Sequence, residues 1–513
     1  MVFSESIISP CFPEENWVVE IKDILENNGE AKEVVVSVFE VPEQLRAANP
    51  VAYAPQLLAF GPYHHFRPKL YQMQRFKVAA AVKAQKDWLV VDFQQLVAQI
   101  EGLEFLIRTC YQRHLNIHAD TLAWILAIDG LSLLKVLHSA LYYYKNLPGS
   151  FGKNPFAEFS ERTPDLDMIL RDMLMLENQI PMIVLKAIAE KRPGSDNLQI
   201  LVDFCETLSP LQLTFKPSTS EVVKHKHLLD LFYQMIICPK EVINTSSKEE
   251  KEDELQDSTM EIPSNPDCSV FKKLLATLSK LQFRFAALPE KLMTLLLSSL
   301  ELLGITPHDF FDRDRSWIPT ASQLNNAGLK FSTCDGINHI KYDNQTLYLP
   351  VITLNSAPDP ENILSSKLTS EVILRNLVAY ESLSKDKSES LPFTRYTQLM
   401  NGIIDNDEDV NLLKKANVIK GDLYSVEIAG LFNGLSESIE PKDRDINIDE
   451  AITKVNRYYD NTLRVKTNKI LKKYIYSSWR FLTFLASFLL LALLALETFC
   501  DFYTCRVMRF KAA

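Results

Sequence analysis

The stretch AFGPYHHFRPKL, residues 59–70, sets two adjacent histidines directly behind a Gly-Pro turn. Such a pair could bind a metal, act on a substrate or only hold the fold. Adjacent side chains of an extended or turn segment point in different directions, so His64 and His65 do not readily converge on one ion. Each ring can instead pack while one nitrogen bonds a neighbouring carbonyl. The residue pattern therefore favours a structural role over catalysis.

Helical periodicity dominates the chain on both sides of this turn. From Lys69 to Arg113, apolar residues recur at three- and four-residue spacing, which predicts one or two long helices. A proline at 181 predicts a break or kink in a later helix. Similar patterns predict helices at residues 121–145, 163–188, 271–288, 289–304, 370–382 and 396–419.

The period changes at residues 329–355, LKFSTCDGINHIKYDNQTLYLPVITLN, which are rich in Thr, Tyr, Ile and Val. Asp335-Gly336 and Asp343-Asn344 occupy turn positions there, so a β-hairpin is predicted at about residues 329–354. The expected fold is mainly α (α+β). It consists of a multi-helix globular body, a small antiparallel β-hairpin or sheet element, and a C-terminal transmembrane helix.

The chain has 513 residues, too many for one core, and its 47% hydrophobic content suits folded, helix-rich packing. The stretch SSKEEKEDELQDSTMEIPSNPD is charged and lacks aromatic residues, so it is expected to be a solvated loop. The predicted parts are an N-terminal tail (1–34), a helical N-terminal part (35–239), an acidic solvated loop (240–267), a C-terminal part with the hairpin (268–470), a transmembrane anchor (479–503) and a short tail (504–513).

Charge and cysteine usage narrow the possible partners and compartments. A net charge of −10 and a pI near 5.6 offer no basic field for phosphate backbones, so no nucleic-acid partner is expected. The eight cysteines include no C-x-x-C pair and no dense cluster. This pattern fits reduced thiols on the cytosolic side better than a disulfide framework.

The C-terminal region predicts a membrane anchor. Sixteen uncharged, mostly apolar residues run from Phe481 to Leu496, and as a helix they would reach roughly 24 Å, a little short of a hydrocarbon core of about 30 Å. The stronger basic flank precedes the segment, which predicts a single-pass protein of the plasma membrane or endomembranes with its large domain in the cytosol. The alternative is a buried core helix. The glycosylation sequons at Asn244 and Asn344 would be used only in the opposite topology.

Sequence signatures of known chemistry are missing. The chain contains no G-x-S-x-G, no G-x-x-x-x-G-K-[ST] and no H-E-x-x-H. DNDEDVNLLKKA, residues 405–416, begins like a calcium loop but has Val410 and Ala416 where Gly and Glu are needed. Its acids instead fit the start of a helix. No catalytic, cofactor-binding or metal-binding residue is therefore predicted.

Several stretches together resemble a known plant family. They are VPEQLRAANPVAYAPQLLAFGPYHHFRPKLYQMQRFK (41–77), MLENQIPMIVL (175–185), TASQLNNAGLKFS (320–332), LYLPVITLN (347–355), LRNLVAYES (374–382) and IIDNDEDVNLLKKANVI (403–419). In this order they resemble the domain of unknown function 247, also called uncharacterised protein family 0481, over roughly residues 35–505. Phe66 departs from the family pattern, which has glycine after the histidine pair.

The resemblance implies a plant membrane-anchored protein without an established enzymatic activity, and some grass relatives are linked to pollen self-incompatibility. A recognition or signalling role with unknown protein partners is therefore expected, in an oligomeric state that the sequence leaves open. One alternative is an unrecognised enzyme that uses His64, His65 or Glu177; another is a soluble scaffold whose last helix is core. The family-motif residues, for which a structural role is expected, are Gly61, Pro62, Tyr63, His64, His65, Glu177, Asn178, Gln179, Pro181, Asn376 and Asp409.

Overall fold

Helices account for most of the structure, a computed structural model. A small sheet of a few short strands joins them, so the protein is mostly helical and belongs to the α+β class, as predicted. The structure describes residues 36–146, 155–161, 164–194, 198–237, 318–355, 367–385, 389–436, 445–462 and six positions between 483 and 491.

Twelve α-helices precede residue 238 in the described part of the chain. They are α1 (Glu43–Ala48), α2 (Pro50–Tyr53), α3 (Pro68–Tyr71), α4 (Gln74–Trp88), α5 (Phe93–Glu101), α6 (Glu104–Cys110), α7 (Ala119–Asn146), α8 (Leu166–Met173), α9 (Met182–Ala189), α10 (Gln199–Leu208), α11 (Thr219–Val222) and α12 (Leu228–Ile237). A 3-10 turn (Leu176–Asn178) lies between α8 and α9.

The prediction of one or two long helices between Lys69 and Arg113 was wrong, because four helices, α3 to α6, occupy this region. A capping box starts α5: the Asp92 side chain accepts from the backbone while the Gln95 side chain reaches back to the cap. Gly102 follows the end of α5. The stripe contains buried apolar residues, but they are distributed over two short helices, α5 and α6.

Helix α7 forms the centre of the N-terminal half, where α4, α5, α9 and α10 pack against it. Ala119–Tyr142 is long and apolar enough to cross a membrane, yet 78% of its apolar window is buried inside the fold. Such burial is typical of the core helix of a globular body. Asp129 is nevertheless a fully buried acid within this helix.

The C-terminal half combines helices with short strands. Its elements are α13 (Ala321–Asn326), β1 (Lys330–Cys334), β2 (Lys341–Asp343), β3 (Thr346–Pro350), β4 (Ile352–Thr353), α14 (Lys367–Ser384), α15 (Pro392–Ile403), α16 (Asp407–Lys415), β5 (Ile419–Lys420), α17 (Ser425–Ser436) and α18 (Ile446–Asn461). Helix α14 packs against α2, α8 and α12, so it joins the two halves of the core.

The predicted β-hairpin is only part of the sheet. Strands β2 and β3 pair antiparallel through a tight turn, where Asn344 and Gln345 both adopt positive φ angles of 45° and 60°. Strand β1 instead pairs parallel with β3, giving the order β1-β3-β2. The 3-10 turn Ile337–His339 separates β1 from β2. A wholly antiparallel element was therefore a wrong expectation, and β4 and β5 also pair parallel.

Several predicted parts lie outside the described residues: the tail 1–34, the loop 240–267, the helices at 271–304, the tail 504–513 and most of the anchor 479–503. Six positions of the anchor are described, all helical, and Leu489, Leu490 and Leu491 are more than half exposed. The transmembrane helix thus stays a prediction.

Candidate functional site

The Gly-Pro turn sits against the second motif segment of the chain. Gly61 has a φ of +71°, and a Cβ built there would stand 3.0 Å from both Gln179 O and Tyr111 Oη. Glycine is therefore required both by the left-handed backbone and by the close approach. The Gly61 N–H donates to Asp129 Oδ2 at 2.9 Å, which ties the turn to helix α7.

Asp172, at the end of α8, holds the chain that leads into this turn. Its carboxylate accepts the backbone N–H groups of Gln56, Leu57 and Leu58, at 3.0, 2.6 and 2.9 Å. Burial raises the pKa of Asp172 to about 6, and the three N–H donors only partly oppose this. Asp172 thus fixes an otherwise irregular segment against the helical core.

The Asn178 side chain holds the next part of the same segment, at Leu58 and Phe60. Its Oδ1 accepts the Phe60 N–H at 2.7 Å, and its Nδ2 donates to Leu58 O at 2.9 Å and Asp172 O at 2.8 Å. All three partners are backbone groups in the protein interior. Three bonds to one buried amide leave little room for any other residue type.

Gln179 and Asn376 extend the network to the rest of the body. The Gln179 amide donates to Met173 O and Met175 O, both at 2.8 Å, and its Oε1 accepts the Leu229 N–H at 3.0 Å. Asn376, on α14, accepts the Leu176 N–H at 2.9 Å and donates to Ala52 O and Val372 O. The C-terminal half is thereby hydrogen-bonded to the motif core.

Glu177 forms the charged part of the site. One oxygen accepts the Val41 N–H at 2.8 Å and pairs with Arg46. The other oxygen lies 3.1 Å from His64 Nε2. His64 and Glu177 are only 2% and 4% exposed, so this pair is shielded from bulk solvent.

The local electrostatics set the charges of this pair. Burial alone would raise the pKa of Glu177, but His64, Arg46 and the Val41 N–H outweigh it and hold that pKa below its ordinary value. Burial lowers the pKa of His64, which the contact with Glu177 only partly offsets. A neutral imidazole beside an ionised carboxylate follows, and the Arg46 guanidinium balances the negative charge.

The two histidines turn to different neighbours. His65 packs its ring edge-on against Phe66, with centroids 4.8 Å apart, and burial lowers its pKa to about 4. Among the described residues, neither Nδ1 atom has a hydrogen-bond partner, and His64 Nε2 approaches the Glu177 carboxylate to 3.1 Å without hydrogen-bond geometry. The expectation that each ring bonds a neighbouring carbonyl was therefore wrong: His64 meets a carboxylate, and His65 packs against an aromatic ring.

A second buried ion pair, Lys77 with Asp129, contacts the backbone next to the Gly-Pro turn. Lys77 Nζ lies 2.6 Å from Asp129 Oδ1 and donates to Ala59 O at 2.7 Å. Both side chains are almost fully buried. Burying a charge is costly unless it is paired and hydrogen-bonded, and here both conditions are met. The pair links α4, α7 and the backbone of the Gly-Pro turn.

The remaining motif residues have separate local roles. Tyr63 Oη accepts the Arg113 N–H at 2.8 Å and lies 3.3 Å from Val38 O. Pro181 is the N-cap residue of α9, which places the predicted break between the 3-10 turn and that helix. Asp409 lies elsewhere, at the start of α16, where its carboxylate accepts the Ser322 N–H at 2.7 Å.

The predicted helix start at residues 405–416 is confirmed, since α16 begins at Asp407 and Asn406 caps it in a capping box with Asp409. Among the described residues, no group of three or more His, Cys, Asp or Glu side chains could hold a metal ion. Of the two sequons, Asn344 is exposed in the β2-β3 turn, and Asn244 lies outside the described residues.

Sequence reasoning missed three charged residues of this site: Lys77, Asp129 and Asp172. A signal existed for Asp129, since a lone acid inside the apolar run of 121–145 needs a buried partner. Asp172 and Lys77 give no comparable signal, because amphipathic helices commonly carry charges at such positions.

The arrangement brings the Gly-Pro turn, the Leu176–Asn178 segment and Asn376 into one buried polar network. We call it the motif core; its side chains are those of His64, Asp129, Asp172, Glu177, Asn178, Gln179 and Asn376. The amides and Asp172 bond mainly to backbone groups, and the carboxylates of Asp129 and Glu177 also pair with Lys77 and Arg46. A cavity of about 310 Å³ lies elsewhere, between the residues around β2 and helix α18. Chemically, the motif core can fix irregular backbone in the interior.

The chain is similar in sequence to plant proteins of unknown function. A family model described as "Plant protein of unknown function", DUF247, matches residues 38–493. A UPF0481 protein of Arabidopsis thaliana, At3g02645, is 31% identical, covering 98% of this chain and 97% of its own length. Another Arabidopsis UPF0481 protein, At3g47200, is 23% identical over 86% of this chain and 78% of its own. No solved structure matches.

Proposed function

The chain belongs to the DUF247 family of plant proteins, and from this premise we propose that it is a membrane-tethered recognition or signalling protein without catalytic activity. One observation carries the proposal. Three amide side chains of the motif stretches, those of Asn178, Gln179 and Asn376, are buried and bonded to backbone, so they serve folding. In this proposal, partners bind to the exposed surfaces of the helices.

The tether rests on the C-terminal sequence. Sixteen uncharged residues from Phe481 to Leu496 follow a collar of five basic residues, Lys466, Lys469, Lys472, Lys473 and Arg480. Leu489, Leu490 and Leu491 are exposed, which would be unfavourable in water and suits a lipid environment. A soluble scaffold that buries its last helix is harder to reconcile with three exposed consecutive leucines.

An enzyme is the second candidate, because His64 and Glu177 lie 3.1 Å apart, a distance suited to an acid-base pair. Both side chains are nevertheless almost fully buried, and Glu177 already accepts the Val41 N–H and the Arg46 guanidinium. A substrate would have to displace these partners to reach the pair. A structural role of His64 and Glu177 therefore explains more of their observed contacts than a catalytic role does.

Protease protection on intact microsomes tests the tether, with the full chain tagged at both ends. We expect digestion of the N-terminal tag and shelter of the C-terminal tag. The matched variant Leu489→Arg/Leu490→Arg/Leu491→Arg should appear in the soluble fraction, since each arginine costs about 2.5–3.5 kcal/mol at the middle of a membrane helix. Release of the unaltered chain by carbonate without detergent would refute the tether.

The sequons report the orientation in the same experiment. If the large domain faces the cytosol, Asn344→Gln will not change the gel mobility of the chain. A glycan-dependent shift that disappears in Asn344→Gln would reverse the topology and place the body outside the cytosol, where the exposed Asn344 turn is accessible to glycosylation.

A further inference from the structure

The segment 66–86, FRPKLYQMQRFKVAAAVKAQK, contains six basic residues and no acidic residue. This is notable in a chain whose net charge is −10. The segment begins at the end of the Gly-Pro turn and covers α3 and nearly all of α4. It therefore concentrates positive charge on one short part of a largely acidic protein.

Helix α4 has one buried face and one exposed face. Phe76, Ala80 and Ala84 are buried, and the helix packs against α7. On its other side, the residues at positions 75, 78, 82 and 86 are exposed, and their spacing of three, four and four residues places them on one stripe. Tyr71, four residues before position 75, precedes the stripe in α3.

The stripe is both basic and apolar. We define the basic face as Lys69, Tyr71, Arg75, Val78, Val82 and Lys86. Its apolar members Tyr71, Val78 and Val82 are 61%, 40% and 57% exposed. Phe66, 51% exposed, lies in the turn that leads to this face. Several large apolar side chains exposed among cations mark an interaction surface more often than a plain solvated helix face.

The basic face carries three cationic side chains. Lys69, Arg75 and Lys86 make no ion pair with any residue that the structure describes. Two other lysines of the segment are neutralised and do not belong to the face: Lys77 pairs with Asp129, and Lys83 pairs with Asp87. Arg75 and Lys86 thus lie on the same stripe of α4 as the exposed valines, and Lys69 lies in the preceding helix α3.

From this juxtaposition we infer that the basic face docks on an anionic lipid surface. Cationic side chains meet anionic headgroups, and the aromatic and valine side chains enter the boundary between headgroups and acyl chains. An acidic helical partner would fit better in a groove, whereas this is the outer side of a single helix. The inference goes beyond the proposed tether, because lipid would bind this face whether or not the C-terminal segment spans the membrane.

Amine footprinting of the full chain tests the inference. The protein is incorporated into, or mixed with, vesicles of phosphatidylcholine alone or of phosphatidylcholine with 30% phosphatidylserine, and lysine acylation is measured by mass spectrometry. We expect acylation of Lys69 and Lys86 to fall about five-fold or more in the anionic vesicles only. Lys415 and Lys420, exposed on other elements, are internal controls whose labelling should not change.

A neutralised variant and a matched control separate lipid binding from other causes. In the unaltered chain, anionic vesicles should slow the hydrogen exchange of α4. In the variant Lys69→Gln/Arg75→Gln/Lys86→Gln, exchange of α4 should be the same in both kinds of vesicle. In Lys330→Gln/Lys415→Gln/Lys420→Gln, which removes as many exposed charges, the slowing of exchange by anionic lipid should persist. High salt should abolish the slowing.

Equal acylation of Lys69 and Lys86 in the two kinds of vesicle would overturn the inference. Protection that occurs without lipid and grows with protein concentration would also overturn it, and would assign the face to a second copy of the chain. Failure of the tether leaves this readout intact, since added vesicles still report on the basic face. The two proposals can thus fail separately.

Discussion

Removing the Asn178 carboxamide should destabilise the protein strongly. The variant Asn178→Ala leaves three buried backbone groups without their partner: the Phe60 N–H, Leu58 O and Asp172 O. A buried polar group that loses its hydrogen bond costs about 1–3 kcal/mol. Partial relaxation lowers the sum of the three, so we expect the free energy of unfolding to fall by about 3–6 kcal/mol.

Urea unfolding followed by tryptophan fluorescence measures this loss. Asn116→Ala is the matched control, because Asn116 is exposed, and it should change stability by less than about 0.5 kcal/mol. Asn178→Asp should also destabilise, since a carboxylate can still accept the Phe60 N–H but cannot donate to the two carbonyls. An Asn178→Ala protein as stable as the control would refute the structural role of this motif and would direct attention to a ligand.

Three further substitutions probe the same body. Gly61→Ala should lose about 1–3 kcal/mol of stability, because φ is +71° and the added Cβ would stand 3.0 Å from two oxygen atoms; Gly430→Ala, on a helix with nothing within 4 Å, should be neutral or stabilising by thermal unfolding. Burial lowers the pKa of His227 to about 4, so lowering the pH from 6.5 to 4 protonates the unfolded state almost completely but the folded state only by half. This difference should remove roughly 2.5 kcal/mol of stability, and the loss should be missing from the pH-stability curve of His227→Gln. Asp129→Asn should cost about 3–5 kcal/mol by leaving the Lys77 ammonium buried and unpaired, and adding Lys77→Met should recover part of that cost; a double variant less stable than Asp129→Asn would show that the pair is not the cause.

Local patterns predicted the helices better than their boundaries. The apolar run at 121–145 corresponds to α7, which spans Ala119–Asn146, because a buried central helix has a long uninterrupted signal. Between Lys69 and Arg113 the same kind of signal was misleading. Successive short helices can keep one apolar stripe in register, and the breaks depend on local caps such as the Asp92 capping box, which the apolar period does not reveal.

The sheet shows the corresponding limit for strands. The Asp343-Asn344 turn was recognisable, and it does join β2 to β3. The parallel pairing of β1 with β3 was not predictable, because it depends on where the chain passes after residue 334 rather than on the alternation within each strand. Side-chain periodicity identifies a strand but carries no information about its partner.

The stretch 59–70 divides its residues between two tasks. Gly61, His64 and His65 face inward, where backbone geometry, Glu177 and neighbouring rings fix them. Phe66 and Lys69 face outward and begin the exposed part of segment 66–86. Similarity in the inward residues therefore reports a shared fold, whereas the outward residues can change without loss of the core. Because Phe66 lies on the outward side, it adds an exposed aromatic ring beside the basic face and leaves the motif core intact.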